Sequence, residues 1–235
     1  MSHPTRIILA SGSPRRQAFL QALGLEHEVL TADIDETPFP GELPAALALR
    51  LATAKARAVA ERLAAADPTL EPDGTAQGAG CLIIAADTVV AIDDQLLGKP
   101  TDAAEARTML ASLRGRTHHV ISAISLLETG EGHQQSRIND TLVTMRVYTN
   151  DEIQAYIDTG DPFDKAGGYA IQHPDFAPVE ALAGCSAGVI GLPLADLRDL
   201  LAEFGVPVPA PLPPICQAQA PFACCQAGAA EHPVR

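Results

Sequence analysis

Apolar and polar positions follow two different periods along this chain, and the switches between them mark its elements. Residues 7–10 are a short apolar run of buried-strand character, followed by the polar turn Ser11-Gly-Ser-Pro-Arg-Arg16. Ser13 is suited to cap a helix with Pro14 at its first position, Phe19, Leu20 and Leu23 recur at helical spacing, and Gly24 supplies a stop. A second helix is predicted from Pro44 to Ala66, with Leu47, Leu51, Ala54, Ala58 and Leu63 directed inward. Residues 67–80 then read as an exposed Pro/Gly loop. Cys81–Ile92 is apolar except for Asp87 and Thr88, the pattern of a buried strand with one polar interruption.

Further on, Asp102-x-x-Glu105 and Thr149-x-x-Glu152 are capping-box patterns, each opening a helix. Between them, 119–128 and 140–148 read as two β-segments joined by a Gly-containing hairpin. After a glycine-rich loop at 165–168, a last helix starts at Pro193, carries Leu194, Leu197, Leu200, Leu201 and Phe204, and stops at Gly205. From Val206 onward, seven prolines in thirty residues and no hydrophobic periodicity predict a disordered tail. The expected organisation is one α/β domain over 1–205 and a Pro/Ala-rich tail over 206–235.

Composition narrows the function. With 16 Lys+Arg against 29 Asp+Glu, the net charge of −13 opposes a broad nucleic-acid or anionic-membrane footprint. Six Phe, three Tyr and no Trp leave little for a base-stacking platform. No apolar run approaches the roughly 18 residues of a membrane span, and the first residues lack a secretory pattern, so a soluble cytoplasmic protein is expected. The five cysteines show no zinc-site spacing and are expected to stay reduced.

Any anionic substrate must therefore meet a local cationic site. The Ser11–Arg16 turn joins hydroxyls, a glycine, two guanidinium groups and a helix N-terminus, which together suit a phosphate, although no Walker A loop is present. Asp87 within an apolar strand is costly to bury unless paired or metal-bound, and so is a candidate metal ligand or water-activating base. Lys99, in the Gly98-Lys99-Pro100 turn, is suited to neutralise phosphate charge. Asp33-Ile-Asp-Glu36 is an acidic turn able to ligate metal or simply be solvated. Lys55 lies one turn from Leu51, its stem bordering the apolar face, where an unpaired ammonium would reach for solvent. In Asp164-Lys-Ala-Gly-Gly-Tyr-Ala-Ile-Gln172, a lysine, a close-approach glycine pair and an amide share one stretch, and an amide can read a nucleobase edge. The adjacent His118 and His119 face opposite ways in a strand and are poor partners for one metal.

In one order, SGSPRR at 11–16, Glu36, Lys55, ADTVV at 86–90, GKP at 98–100, GRTH at 115–118, DKAGGYAIQ at 164–172 and GLPL at 191–194 resemble the Maf family of nucleoside triphosphate pyrophosphatases. The resemblance covers about Ile7 to Gly205. It implies an elongated two-lobed α/β fold with a mixed sheet and a central cleft, similar to that of inosine triphosphate pyrophosphatases. It also implies hydrolysis of a nucleoside triphosphate to the monophosphate and pyrophosphate with a divalent metal, Mg²⁺ or Mn²⁺. Carried onto this chain, Asp87 is the catalytic base and, with Glu36, a metal ligand, while Ser11, Arg16, Lys55, Lys99 and Lys165 hold phosphate. Arg15, Thr88 and Gln172 match the subgroup that acts on dTTP and UTP. Homodimers are common among similar proteins. The chain departs from the family pattern in His-Pro-Asp-Phe after Gln172, and in Gly184-Cys-Ser-Ala-Gly188 where Gly-Asp-Tyr-x-Asn is usual. Two competing readings are a broader pyrophosphatase of modified nucleotides and a nucleotide-binding regulator of cell division without turnover.

Overall fold

The computed structural model describes residues 6–66, 80–93, 95–130 and 132–225. Most of the loop read over 67–80, and residues 226–235, lie outside them. The described residues form seven strands in one mixed sheet and seven α-helices. The strands are β1 (Arg6–Leu9), β2 (Glu28–Val29), β3 (Cys81–Ile92), β4 (Gln95–Leu97), β5 (Thr117–Glu128), β6 (Gln134–Met145) and β7 (Val179–Ala183). The helices are α1 (Pro14–Ala22), α2 (Pro44–Ala66), α3 (Ala103–Leu113), α4 (Asn150–Asp158), α5 (Ser186–Ile190), α6 (Leu194–Glu203) and α7 (Leu212–Gln219). None of these helices is long and apolar enough to cross a membrane.

The strand order is β2-β1-β3-β5-β6-β7, parallel from β2 to β3 and antiparallel thereafter. The central strand β3 alternates as period two requires. Leu82, Ile84, Ala86, Val90 and Ile92 enter the main core beneath α1, α3, α4 and α6, while Ile83, Ala85 and Val89 face α2. From Leu82 to Ala91 β3 pairs with β5, but its other edge is shared. There β1 covers Cys81–Ile84 and β4 covers Val90–Ile92. Among the described residues no strand covers 85–89 on that side, and this gap in the sheet edge positions the site.

Three expectations need correction. The two β-segments are Thr117–Glu128 and Gln134–Met145, paired end to end; the polar first half of β6 hid its start because Gln135, Arg137 and Asn139 do not alternate with apolar partners. The buried face of α2 is Leu47, Ala48, Leu51, Ala52, Ala56 and Val59, with Leu63 packed on it as expected, but Ala54 and Ala58 lie off it, since an alanine-rich helix offers little contrast between its faces. Finally, the segment expected to be disordered forms α7, with Leu212, Cys216, Ala220 and Cys224 buried in the main core. Two helical turns are too short for a periodicity to show, yet an apolar side chain such as Leu212 contributes about 1.5–3 kcal/mol when fully buried.

The caps behave largely as expected. Ser13 accepts from the Arg16 amide at 3.5 Å, and Thr149 and Glu152 form a complete capping box. Asp102 caps α3, but the Glu105 carboxylate bonds Thr101 instead of closing a box.

Candidate active site

A cleft of about 770 Å³ opens at the gap in the sheet edge. It is lined by the 10–16 turn, Glu36, Lys55, Asp87, Thr88, Lys99, the 164–172 stretch and the end of α5. Asp87 and Thr88 are neighbours and so point to opposite faces of the sheet, yet both reach the cleft because, among the described residues, no strand flanks them on the side away from β5. Every residue predicted for the site lines this one cleft.

On the α2 side, Lys55 stands in the buried stripe of its helix between Ala52 and Val59. Instead of reaching solvent, its ammonium donates to Asp87 Oδ1 at 2.6 Å and lies 2.6 Å from Glu36 Oε1. Asp87 is 7% exposed, so this lysine supplies the counter-charge that a buried carboxylate requires. Burial opposes ionisation of Glu36, but the Lys55 hydrogen bond and charge, with Lys99 and Arg16 behind them, hold its carboxyl below the ordinary value. Two carboxylates therefore converge on one cation at the floor of the cleft. Lys99 stands exposed at the rim.

On the opposite side, Arg16 is a strut. Its Nε donates to the Gly191 carbonyl at 2.9 Å, one terminal nitrogen to Ser11 Oγ at 3.0 Å and the other to Thr88 Oγ1 at 3.4 Å. Burial pushes its guanidinium down from the ordinary value, and the Asp87 charge opposes that push. Thr88 and Ser122 are register partners across β3 and β5, with hydroxyls 2.7 Å apart. Ser122 donates to the Gly188 carbonyl at 2.7 Å, so Thr88 donates to Ser122 while accepting from Arg16. Its hydroxyl is thus spent on lacing α1, β3 and α5 together. Thr88, which the resemblance marks for substrate specificity, lines the cleft with its hydroxyl engaged on both sides. Ser122 was missed because a serine in an apolar strand carries no signal until the register pairs it with Thr88.

The 164–172 stretch is brought in by its glycines. Gly167, at φ +73°, donates its amide to the Gly98 carbonyl at 3.0 Å, and a Cβ there would come within 3.1 Å of Val90. This joins the Lys99 turn to the Lys165 turn. Lys165, expected to hold phosphate, has its three N–H groups directed at Asp161 O (2.7 Å), Asp161 Oδ1 (2.9 Å) and Asp164 Oδ1 (2.5 Å). In this arrangement it staples its own turn, and an incoming phosphate would compete with those carboxylates for its donors. Arg15 lies 3.5 Å from Asp164, so an incoming anion would compete with that carboxylate. Gln172 sits on the cleft wall with its Nε2 donated to Gln219. Beneath the wall, His118 is 1% exposed, lies 2.6 Å from the Tyr169 hydroxyl, and is pushed down to about 4 by burial. His119, on the other face, is exposed beside Asp140. The family-divergent segment at 184–188 starts α5, with Cys185 Sγ accepting from the Gly188 amide at 3.3 Å as its cap.

Fold and site define a mixed α/β protein whose cleft pairs a buried carboxylate with lysine and gathers further cations around it. The chain belongs to the Maf family: the model described as "Maf-like protein" matches residues 6–204. Among curated relatives, the dTTP/UTP pyrophosphatase of Desulforamulus reducens is 40% identical over 202 residues, covering 86% of this chain and 98% of that protein. That of Thermomicrobium roseum is 44% identical over 224 residues, covering 92% and 94%. That of Myxococcus xanthus is 41% identical over 205 residues, covering 87% and 95%.

Proposed function

We propose that this chain hydrolyses nucleoside triphosphates, dTTP and UTP foremost, to the monophosphate and pyrophosphate. The observation that carries the reading is the convergence of Asp87, Lys55 and Glu36 in a cleft ringed by Lys99, Arg15 and Arg16. The names of the relatives support the same reaction. The net charge of −13 makes such a local cationic site the place where a polyanion binds.

In this reading, Lys55 fixes one oxygen of Asp87 and leaves the other to accept a proton from water. That water attacks the α-phosphorus in line, the bond to the bridging oxygen breaks, and pyrophosphate leaves with the electron pair. Lys99 and Arg15 spread the triphosphate charge, and the Ser11 hydroxyl, which accepts from Arg16, has its own proton to donate to a phosphate oxygen. Asp87 and Glu36 suit Mg²⁺ or Mn²⁺, because Mg²⁺ is commonly held by one or two carboxylates with water and substrate phosphates completing the shell. Among the described residues no three His, Cys, Asp or Glu side chains group as a metal site, and Asp87 and Glu36 are the two carboxylates that would hold the cation. When bound, the cation would add charge neutralisation at the phosphates. A cytoplasmic location and a homodimer complete the proposal.

The test is to incubate the protein with Mg²⁺ and each of dTTP, UTP, CTP, GTP, ATP and 7-methyl-GTP, measuring pyrophosphate and inorganic phosphate separately. Pyrophosphate from dTTP and UTP is expected. Activity confined to other bases would keep the chemistry and overturn the base preference, and binding without pyrophosphate would install the regulator reading.

A further inference from the structure

Residues 206–225 lie beyond the stretch matched by the family model, yet they belong to the core. Helix α7 packs on α5, whose Val189 and Ile190 line the cleft. Leu212, Cys216, Ala220 and Cys224 are buried in the main core, and it is this burial that docks the segment. At the C-terminal end of α7, Gln172 Nε2 donates to the Gln219 main-chain carbonyl at 2.8 Å and approaches its side-chain Oε1 at 3.3 Å.

That contact removes the usual ambiguity of a carboxamide. A main-chain carbonyl only accepts, so the nitrogen of Gln172 must face Gln219. With both N–H groups directed there, the polar atom that Gln172 has left to offer a ligand is its carbonyl oxygen. We propose that the docked end of α7, through the main-chain carbonyl of Gln219, is a positioning element for base selection, holding Gln172 so that its side chain presents an acceptor, and no donor, to the nucleobase.

The proposal rests on the reading that Gln172 faces the base of a bound pyrimidine nucleotide. Uracil and thymine carry an N3–H that donates to such an acceptor. Cytosine has a bare acceptor at N3, which meets the carbonyl oxygen with like polarity. An unpinned amide could turn its NH₂ toward cytosine and lose the distinction. Here, a segment beyond the stretch matched by the family model would sharpen discrimination without touching the phosphates.

A side-chain change at 219 keeps the main-chain carbonyl, so the test moves α7 itself: full-length Leu212→Asp undocks the helix and Leu212→Ala loosens it, while Gln219→Ala removes only Oε1. Pyrophosphate release from UTP and CTP gives kcat and KM for each. The Leu212 variants are expected to lower the UTP:CTP ratio of kcat/KM, Leu212→Asp by about fivefold or more, the order expected for one mismatched hydrogen bond, through KM rather than kcat. Gln219→Ala should retain most of the wild-type ratio. Should Leu212→Asp fail to fold, Leu212→Ala decides. An unchanged ratio in the folded Leu212 variant, where Gln172→Ala does change it, overturns the positioning role alone. An unchanged ratio in Gln172→Ala overturns the base-facing reading of Gln172, and this proposal with it.

Discussion

At one end of the cleft, Lys55 holds Asp87 and Glu36 by ion pairs of 2.6 Å each; at the other, Gln219 holds Gln172 at 2.8 Å and Ser122 holds Thr88 at 2.7 Å by neutral hydrogen bonds. In the proposed reaction the charged end would meet what all nucleotides share, their phosphates, and the neutral end what distinguishes them. Fields from full charges act on any polyanion, whereas neutral donors and acceptors discriminate by matching a pattern. Damage to the first should therefore lower every rate together, and damage to the second should change the ranking of bases.

The largest effect is expected from Asp87→Asn, which keeps the shape but removes the base. Pyrophosphate release should fall at least about 100-fold for dTTP, UTP and CTP alike. A near wild-type rate would end the role assigned to Asp87, and a loss confined to one base would break the division between the two ends. Lys55→Met should lower kcat/KM by about 50-fold across the same nucleotides, somewhat less than the loss of one oxyanion-stabilising donor. It also frees Glu36 from the charge that holds its carboxyl low, so the acid limb of the pH–rate profile should move to higher pH. An acid limb that stays in place would show that Glu36 does not govern it.

Next is a test of stability at the neutral end. His118 is held near 4 in the folded chain against an ordinary value of 6.5, so between these values the unfolded chain binds the extra proton. Stability should be fully present above pH 6.5 and decline as pH falls toward 4, by about 2 kcal/mol between pH 7 and pH 5. Urea unfolding at the two pH values measures this, and in His118→Gln that portion of the decline should vanish; an undiminished decline would assign it to other groups. The smallest effect is expected from Ser122→Ala, which releases Thr88 and the Gly188 carbonyl. The UTP:CTP ratio should shift by about threefold while kcat for UTP holds, and a uniform loss of kcat would instead place Ser122 with the catalytic machinery.

Much of the charged end is legible in the amino-acid sequence. A carboxylate inside Ile83–Val90 is costly to bury, and that cost marks Asp87 as paired. Lys55 could be placed at the border of an apolar face, but its target could not, because Asp87 is 32 positions away. Lys165 is legible as a cation beside glycines, but its partners Asp161 and Asp164, which take its three donors in this structure, are not. Thr88 and Gln172 were singled out, but not their partners. Nothing local in Ser122 or Gln219 shows which hydroxyl or amide each meets.

From sequence alone came the α/β class, most element positions, the inward placement of Asp87 and the cationic character of the 11–16 turn. These follow from periodicity, capping chemistry and desolvation cost, all read over a few neighbouring residues. Tertiary structure alone decided that β1 and β4 share one edge of β3 and leave 85–89 open, that Thr88 is laced to Ser122, and that α7 returns to hold Gln172. Each of these depends on strand register or helix docking. Which donor meets which acceptor across distant elements is settled only when the whole core closes.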